Sequence, residues 1–248
     1  MTGRIRRLYP LPAKELPGRG LYEDLELPPE ASRDPSRPYV IINMVSSIDG
    51  RAAVEGRASG IGGEVDRRTM RTLRSKADAV MIGAGTLRAE RLSLGLDDPD
   101  GPQPLAVIAT SSGDIPLERN LIAGQGQEVL VIASDHVSVR SGEHGVLRLA
   151  VDESGHLDLG LALEILKAEH AVDLLLVEGG PRLNHSLVSQ NLADELFLTL
   201  APKLLGGTRS GSSTICEGST LPTRRTNLLS VHLAGDELFL RYDLRACD

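Results

Sequence analysis

Aromatic side chains make up 2% of the 248 residues, and tryptophan is absent. A flat heterocycle bound by this chain therefore has to lie on aliphatic side chains and glycine backbone. Cysteine is as scarce. The two present, Cys216 and Cys247, read as free thiols of a cytoplasmic protein, with one late pairing as the alternative. There is no C-x-x-C, no H-x-E followed by P-C-x-x-C and no H-E-x-x-H, so no metal site is expected. No apolar run approaches the ~18 residues that suggest a membrane span. The three arginines between Met1 and Arg7 are not followed by the apolar stretch of a secretory signal. Basic residues are outnumbered, 27 − 34 = −7, and form no long block, which argues against nucleic acid as a partner.

What is present is the composition of a soluble globular protein, 41% hydrophobic and 25% charged. The stretch Val172 to Asn184 carries the most information. Its aliphatic run ending at Val177 suits a strand buried on both faces. The run stops at Glu178, then Gly179, Gly180 and Pro181. Glycines let backbone turn sharply and approach a ligand, and proline fits the first turn of a helix. The free N–H groups of such a helix start attract phosphate. One strand end thus combines an anion cradle with a carboxylate, where open α/β sheets bind ligands.

The rest of the chain repeats this alternation. Residues 1–37, rich in Pro, Gly and charge, read as an arm lying over the domain or a partner subunit, with a helical turn near Leu21–Leu25, or as plain disorder. Residues 38–248 read as one domain. Strands are expected at 39–45, 79–82, 105–109, 129–133, 146–151, 172–177 and 196–200. Helices are expected at 64–76, 157–169 and 182–191. Residues 228–233 and 238–242, with Gly235-Asp236 between them, make an antiparallel hairpin. The fold class is α/β, a mostly parallel sheet flanked by helices with antiparallel strands at one edge. The glycine turns do not fit the G-x-G-x-x-G pattern of a Rossmann domain.

Three segments resemble a known family. Asn43 to Gly50 is similar to a strand ending in Ser-Leu-Asp-Gly. Leu73 to Thr86 resembles a Leu-Arg-Ala, strand, Gly-x-Gly-Thr block. Val177 to Leu183, with Asp194-Glu195-Leu196 and Pro202 to Gly207, resembles Glu-Gly-Gly-Pro and Asp-Glu blocks. The family is the riboflavin-biosynthesis pyrimidine reductases, which have the dihydrofolate reductase-like fold. The resemblance covers roughly residues 38 to 243. It implies an NADPH-dependent reduction of the ribosyl group of a 5-phosphoribosylamino pyrimidine to ribityl. It also implies a homodimer, to which the open apolar edge of the late strands adds support, and a separate protein for deamination. By correspondence Ser46, Gly60, Ile61, Gly83, Gly85, Thr86, Glu90, Ser111, Gly179, Gly180, Pro181 and Leu183 fall on cofactor positions. Ala58, Ser59, Arg74, Leu94 and Glu178 fall on substrate positions. Asn43 lies beside the reaction centre, where many members carry Lys. The family's Trp-Ile-Thr becomes Gly60-Ile61-Gly62, its Asp-Asp-Pro becomes Glu90-Arg91-Leu92, and a phosphate-binding Arg aligns near Asp97. These departures leave open a related heterocycle such as dihydrofolate, or NADPH binding without turnover.

Within this reading Glu178 either supplies a proton, through a raised pKa, or holds substrate hydroxyls; its structural alternative is a helix-start carboxylate. Arg74 is expected to fork a substrate phosphate. Asp49 is a catalytic candidate whose alternative is turn formation. Thr86 and Ser111 serve as helix caps or cofactor contacts. The Thr110-Ser111-Ser112-Gly113 turn is expected to wrap a 2′-phosphate.

Overall fold

The computed structural model describes residues 4–18, 20–54, 56–90, 93–98, 101–115, 127–139, 145–151, 157–206 and 212–245. In chain order the strands are β1 (Ile5–Tyr9), β2 (Lys14–Glu15), β3 (Tyr39–Ser47), β4 (Ala53–Val54), β5 (Ala79–Gly83), β6 (Leu105–Thr110), β7 (Val129–Ser134) and β8 (Gly145–Leu149). They continue with β9 (Leu174–Val177), β10 (Glu195–Ala201), β11 (Ser212–Ser213), β12 (Asn227–Ala234) and β13 (Glu237–Asp243). The α-helices are α1 (Glu64–Arg74), α2 (Ala84–Ala89), α3 (Leu159–His170) and α4 (Pro181–Ser189). Eleven of the described strands form one sheet, in the order β2-β1-β12-β13-β10-β3-β9-β5-β6-β7-β8, and β4 pairs with β11 apart from it. From β10 to β8 neighbouring strands are parallel; β13, β12, β1 and β2 join antiparallel.

Burial explains the aliphatic runs. All four residues of β9 are buried. Leu174 and Leu176 face a core shared with Leu73 of α1 and Leu87 of α2. Leu175 and Val177 face the other core, with Leu163 and Leu166 of α3 and Leu183 and Leu187 of α4. Each such leucine contributes about 1.5–3 kcal/mol by leaving water. The aspartate that precedes β5 also has a structural cause. Asp78 Oδ2 accepts from Asp173 N and Leu174 N, 2.9 and 2.8 Å, and so caps the entry to β9.

The expectation of an open edge needs correction. The edge of the late strands is not open: β1 pairs along β12, with Ile5 opposite Ala234 and Arg7 opposite His232. The chain's own N-terminal segment therefore takes the place assigned to a second subunit. Leu21 and Tyr22 are buried in the first core, and a turn closes there with Leu25 N donating to Tyr22 O at 3.1 Å. The strand expected at 146–151 starts one residue earlier and ends two earlier, at Leu149, and Val151 makes an isolated bridge to Leu157.

Candidate active site

The carboxyl ends of β5, β6 and β9 and the first turn of α4 enclose a cavity of about 1080 Å³. Glycine is required at its floor. Gly179, next to the lining residue Gly180, has φ +82°, a conformation that suits only glycine well. A Cβ on Gly180 would lie 2.5 Å from Thr86 Oγ1, and one on Gly83 would lie 3.3 Å from Gly180 N. Gly180 is the N-cap of α4 and has no side chain to satisfy the helix's free N–H groups, with Pro181 next. Such a helix start favours an anion. A strap from the far end of the chain roofs the cavity with Ser213, Glu217, Gly218 and Ser219. It is tied to α4 by Glu217 N to Pro181 O at 3.0 Å and Asn184 Nδ2 to Ile215 O at 2.7 Å. His185 Nε2 lies 2.8 Å from Ser219 O. The volume, the glycine floor and the anion-seeking helix start fit a dinucleotide.

Of the residues assigned to cofactor, Gly83, Gly85, Thr86, Ser111, Gly180, Pro181 and Leu183 line this cavity. Others sit elsewhere for visible reasons. Ser46 is buried and its hydroxyl bonds Ser47 O. Ile61 is buried, and Gly60 O accepts from Lys203 Nζ. Glu90 Oε1 accepts from Ala58 N at 2.6 Å and holds the loop carrying Ala58 and Ser59. Arg91 and Leu92 lie outside the described residues, as do Gly207 and Cys247; Cys216 is a free thiol. The strap was not legible, because its segment carries no local motif.

The candidate catalytic residues Asn43 and Glu178 lie on the sheet face covered by α1. Glu178 follows Leu176 by two residues and Asn43 follows Ile41 by two, so both continue the face of the first core. Arg74 does not present a free fork for phosphate. Its Nε and Nη2 each donate to Glu178 at 2.6 Å, and its Nη1 donates to Ser93 O and Gly95 O. Both side chains are buried, 4% and 8% exposed. Burial disfavours the Arg74 charge, but the Glu178 carboxylate more than offsets this and its pKa is raised. Leu94, assigned to substrate, is instead wholly buried in the core.

Asp49 is a tie between loops. Its Oδ1 accepts from Ser47 Oγ at 2.6 Å and Leu205 N at 3.1 Å, and its Oδ2 from Gly206 N at 2.7 Å. The Ser47 hydroxyl, then these backbone N–H groups, hold its pKa down to about 2. The turn reading is therefore the one its geometry favours.

The sequence reading missed Asp66. Its helix was expected to show a solvated basic face, yet Asp66 is half-buried and takes a hydrogen bond from Thr199 of β10. Burial first, then the nearby Glu237 and Glu178, raise its pKa, against the Thr199 bond and Arg67. A Cβ on Gly62 would lie 2.0 Å from Asp66 Oδ2, so the glycine makes room for this carboxyl. Glu237 caps the same helix, accepting from Gly63 N at 2.6 Å. The only local signal was an acidic residue in the first turn of α1. Among the described residues, no group of three or more His, Cys, Asp or Glu could hold a metal. No described helix is long and apolar enough to cross a membrane.

A mostly parallel sheet with a cavity at its carboxyl ends, beside a buried carboxylate, is the arrangement of an α/β protein that binds its ligand at strand ends. The chain belongs to the RibD C-terminal domain family, whose model matches residues 38–239. It is 32% identical over 197 residues to the 2,5-diamino-6-ribosylamino-4(3H)-pyrimidinone 5′-phosphate reductase of Archaeoglobus fulgidus, covering 74% of this chain and 88% of the relative. It is 29% identical over 217 residues to the protein of the same name from Methanothermobacter thermautotrophicus, covering 84% and 99%. Among solved structures, Acinetobacter baumannii RibD in one form gives a TM-score of 0.69 at 24% identity over 84% of this chain, which spans 58% of that protein's length. Saccharomyces cerevisiae Rib7 gives 0.67 at 17% identity, covering 86% and 92%. These likenesses show the fold, the dihydrofolate reductase-like one expected.

Proposed function

We propose that the protein reduces the ribosyl group of a 5-phosphoribosylamino pyrimidine to ribityl, with NADPH as reductant. The observation that carries the reading is the buried Glu178, one residue past β9 and two before Gly180 of the cavity lining. The named relatives support the substrate. The reaction breaks the ring C–O bond at the anomeric carbon, places a hydride on that carbon and a proton on the released oxygen. NADPH supplies the hydride when bound. Thr86, Gly180, Pro181 and Ser111 would hold it. Asn43 and Glu178 hold the sugar hydroxyls. Both Glu178 oxygens are engaged by Arg74, so Asp66, whose proton affinity is raised, is assigned the proton. Arg74 then positions Glu178 rather than binding phosphate.

The test is incubation of the phosphorylated pyrimidine with NADPH, following nicotinamide oxidation and the gain of two hydrogens by mass. Dihydrofolate serves as the competing substrate, and turnover of it alone would replace this reading. Asp66→Asn should lower kcat by about 10²–10⁴-fold, the usual range for a lost proton donor, and remove the alkaline fall of the pH profile.

The reading includes a homodimer, on a different surface from the edge. Leu198, Leu240 and Val231 lie side by side in register, as do Leu200, Leu238 and Leu233, and all six are half-buried. A second copy would cover them, and light scattering at micromolar concentration checks the mass. The biosynthetic relatives support a cytoplasmic location.

A further inference from the structure

Two guanidinium side chains line the cofactor cavity, Arg88 of α2 and Arg182 in the first turn of α4. They differ in what they are free to do. Arg88 Nη1 donates to Asp114 O at 2.6 Å, and Nε lies 3.8 Å from Asp114 Oδ2. That pairing fastens α2 to the turn following Ser111 and Ser112. Arg182 is exposed, and its guanidinium has no hydrogen bond or ion pair among the described residues. The one carboxylate on the described lining, Glu217, turns its Oε1 to Thr214 N at 3.1 Å.

A dinucleotide with a 2′-phosphate brings two anionic groups into such a cavity. The pyrophosphate is met by the glycine turn and the free N–H groups of the α4 start, which need no side-chain charge. The 2′-phosphate, carrying up to two charges on an otherwise neutral ribose, calls for a cation with open donors. Ser111 and Ser112 offer hydroxyls on the same lining but no charge.

We infer that Arg182 is the residue by which this protein distinguishes a 2′-phosphorylated nicotinamide dinucleotide from its unphosphorylated counterpart. The inference rests on the reading that the cavity holds such a cofactor. Arg88 holds the turn that shapes the cavity wall and contributes less to the discrimination. Because the Arg182 side chain is exposed, its contribution shrinks as salt rises.

The test is equilibrium titration of wild type, Arg182→Gln and Arg182→Lys with NADPH, NADH, adenosine 2′,5′-bisphosphate and adenosine 5′-monophosphate, followed by calorimetry. Arg182→Gln should weaken NADPH and the bisphosphate by at least about tenfold, the factor that one lost charge-assisted contact gives. It should leave NADH and the monophosphate within about twofold. Arg182→Lys should fall between. Equal loss for both members of each pair would place Arg182 on the pyrophosphate or 5′-phosphate and overturn the inference. No loss for any ligand would also overturn it. If wild type binds none of the four, the cofactor reading of the cavity fails instead.

Discussion

Two buried arginine–glutamate pairs lie on the same face of the sheet and share their local geometry, yet they are finished differently. At the amino end of β10, Glu195 takes Arg241 Nε and Nη2 at 2.5 and 2.8 Å, and it accepts a third bond from Tyr39 Oη at 2.8 Å. Arg241 Nη2 also donates to Glu26 O in the N-terminal segment at 3.1 Å. This network is closed on the carboxylate side, with three bonds to Glu195. At the carboxyl end of β9, Arg74 spends its other donors on Ser93 and Gly95 carbonyls, whereas Glu178 has no partner beyond Arg74 among the described residues. The second network is closed on the arginine side and open on the carboxylate side. A scaffold pair saturates its acceptor, and a site pair leaves acceptor capacity for a ligand.

The sharpest way to break this comparison is to truncate the closed pair. Arg241→Ala should cost about 3–5 kcal/mol of stability by chemical denaturation, since it strands a buried carboxylate. Turnover per folded molecule should stay near wild type. Replacing both partners, Arg241→Met with Glu195→Leu, should restore most of the stability, because the desolvation cost disappears with the charges.

At the open pair the effect should fall on chemistry. Glu178→Gln should reduce kcat by about ten- to a hundredfold, the equivalent of one or two lost bonds to a charged group, with NADPH affinity nearly kept. Arg74→Lys should show the same direction in part, because a point charge cannot hold both carboxylate oxygens in plane. If Arg74→Lys instead weakened the phosphorylated substrate alone, Arg74 would return to the phosphate.

Tyr39→Phe tests closure on the scaffold side and should cost about 1 kcal/mol without altering kinetics. A further effect is in pH. Burial, then Arg7, hold the pKa of His232 down to about 4, against 6.5 when unfolded. The folded state binds this proton more weakly than the unfolded one. The contribution is therefore complete above about pH 6.5 and declines as pH falls toward 4, by at most about 1.4 kcal/mol per unit. His232→Leu should flatten that slope in thermal melts.

Much of the sheet was readable from Leu174 to Val177, Ala79 to Ile82 and Leu105 to Ala109, because strands buried on both faces leave unbroken aliphatic runs. The glycine floor was readable too, since Gly179, Gly180 and Pro181 each have a backbone reason to stand where they do. What stayed hidden depends on contacts far apart in the chain. Arg74 and Glu178 are separated by 104 residues, and neither position records that each is the other's partner. Arg74 was read from its neighbours as a phosphate fork, and Asp66 disappeared among the arginines of α1. The N-terminal strand was obscured by Pro10 and Pro12, which signalled a break just after it.

That N-terminal strand also governs how the protein behaves in a crowded solution. With β1 in place, the sheet ends on β2, two exposed charged residues, Lys14 and Glu15, a margin too short and too polar to recruit another strand. Without it, β12 would offer an unpaired row of N–H and C=O groups flanked by Leu228, Leu229, Val231 and Leu233. Such an edge is a template for edge-to-edge aggregation. The segment thus serves as a permanent guard rail, and removing residues 1–16 should show first as visible precipitation on storage.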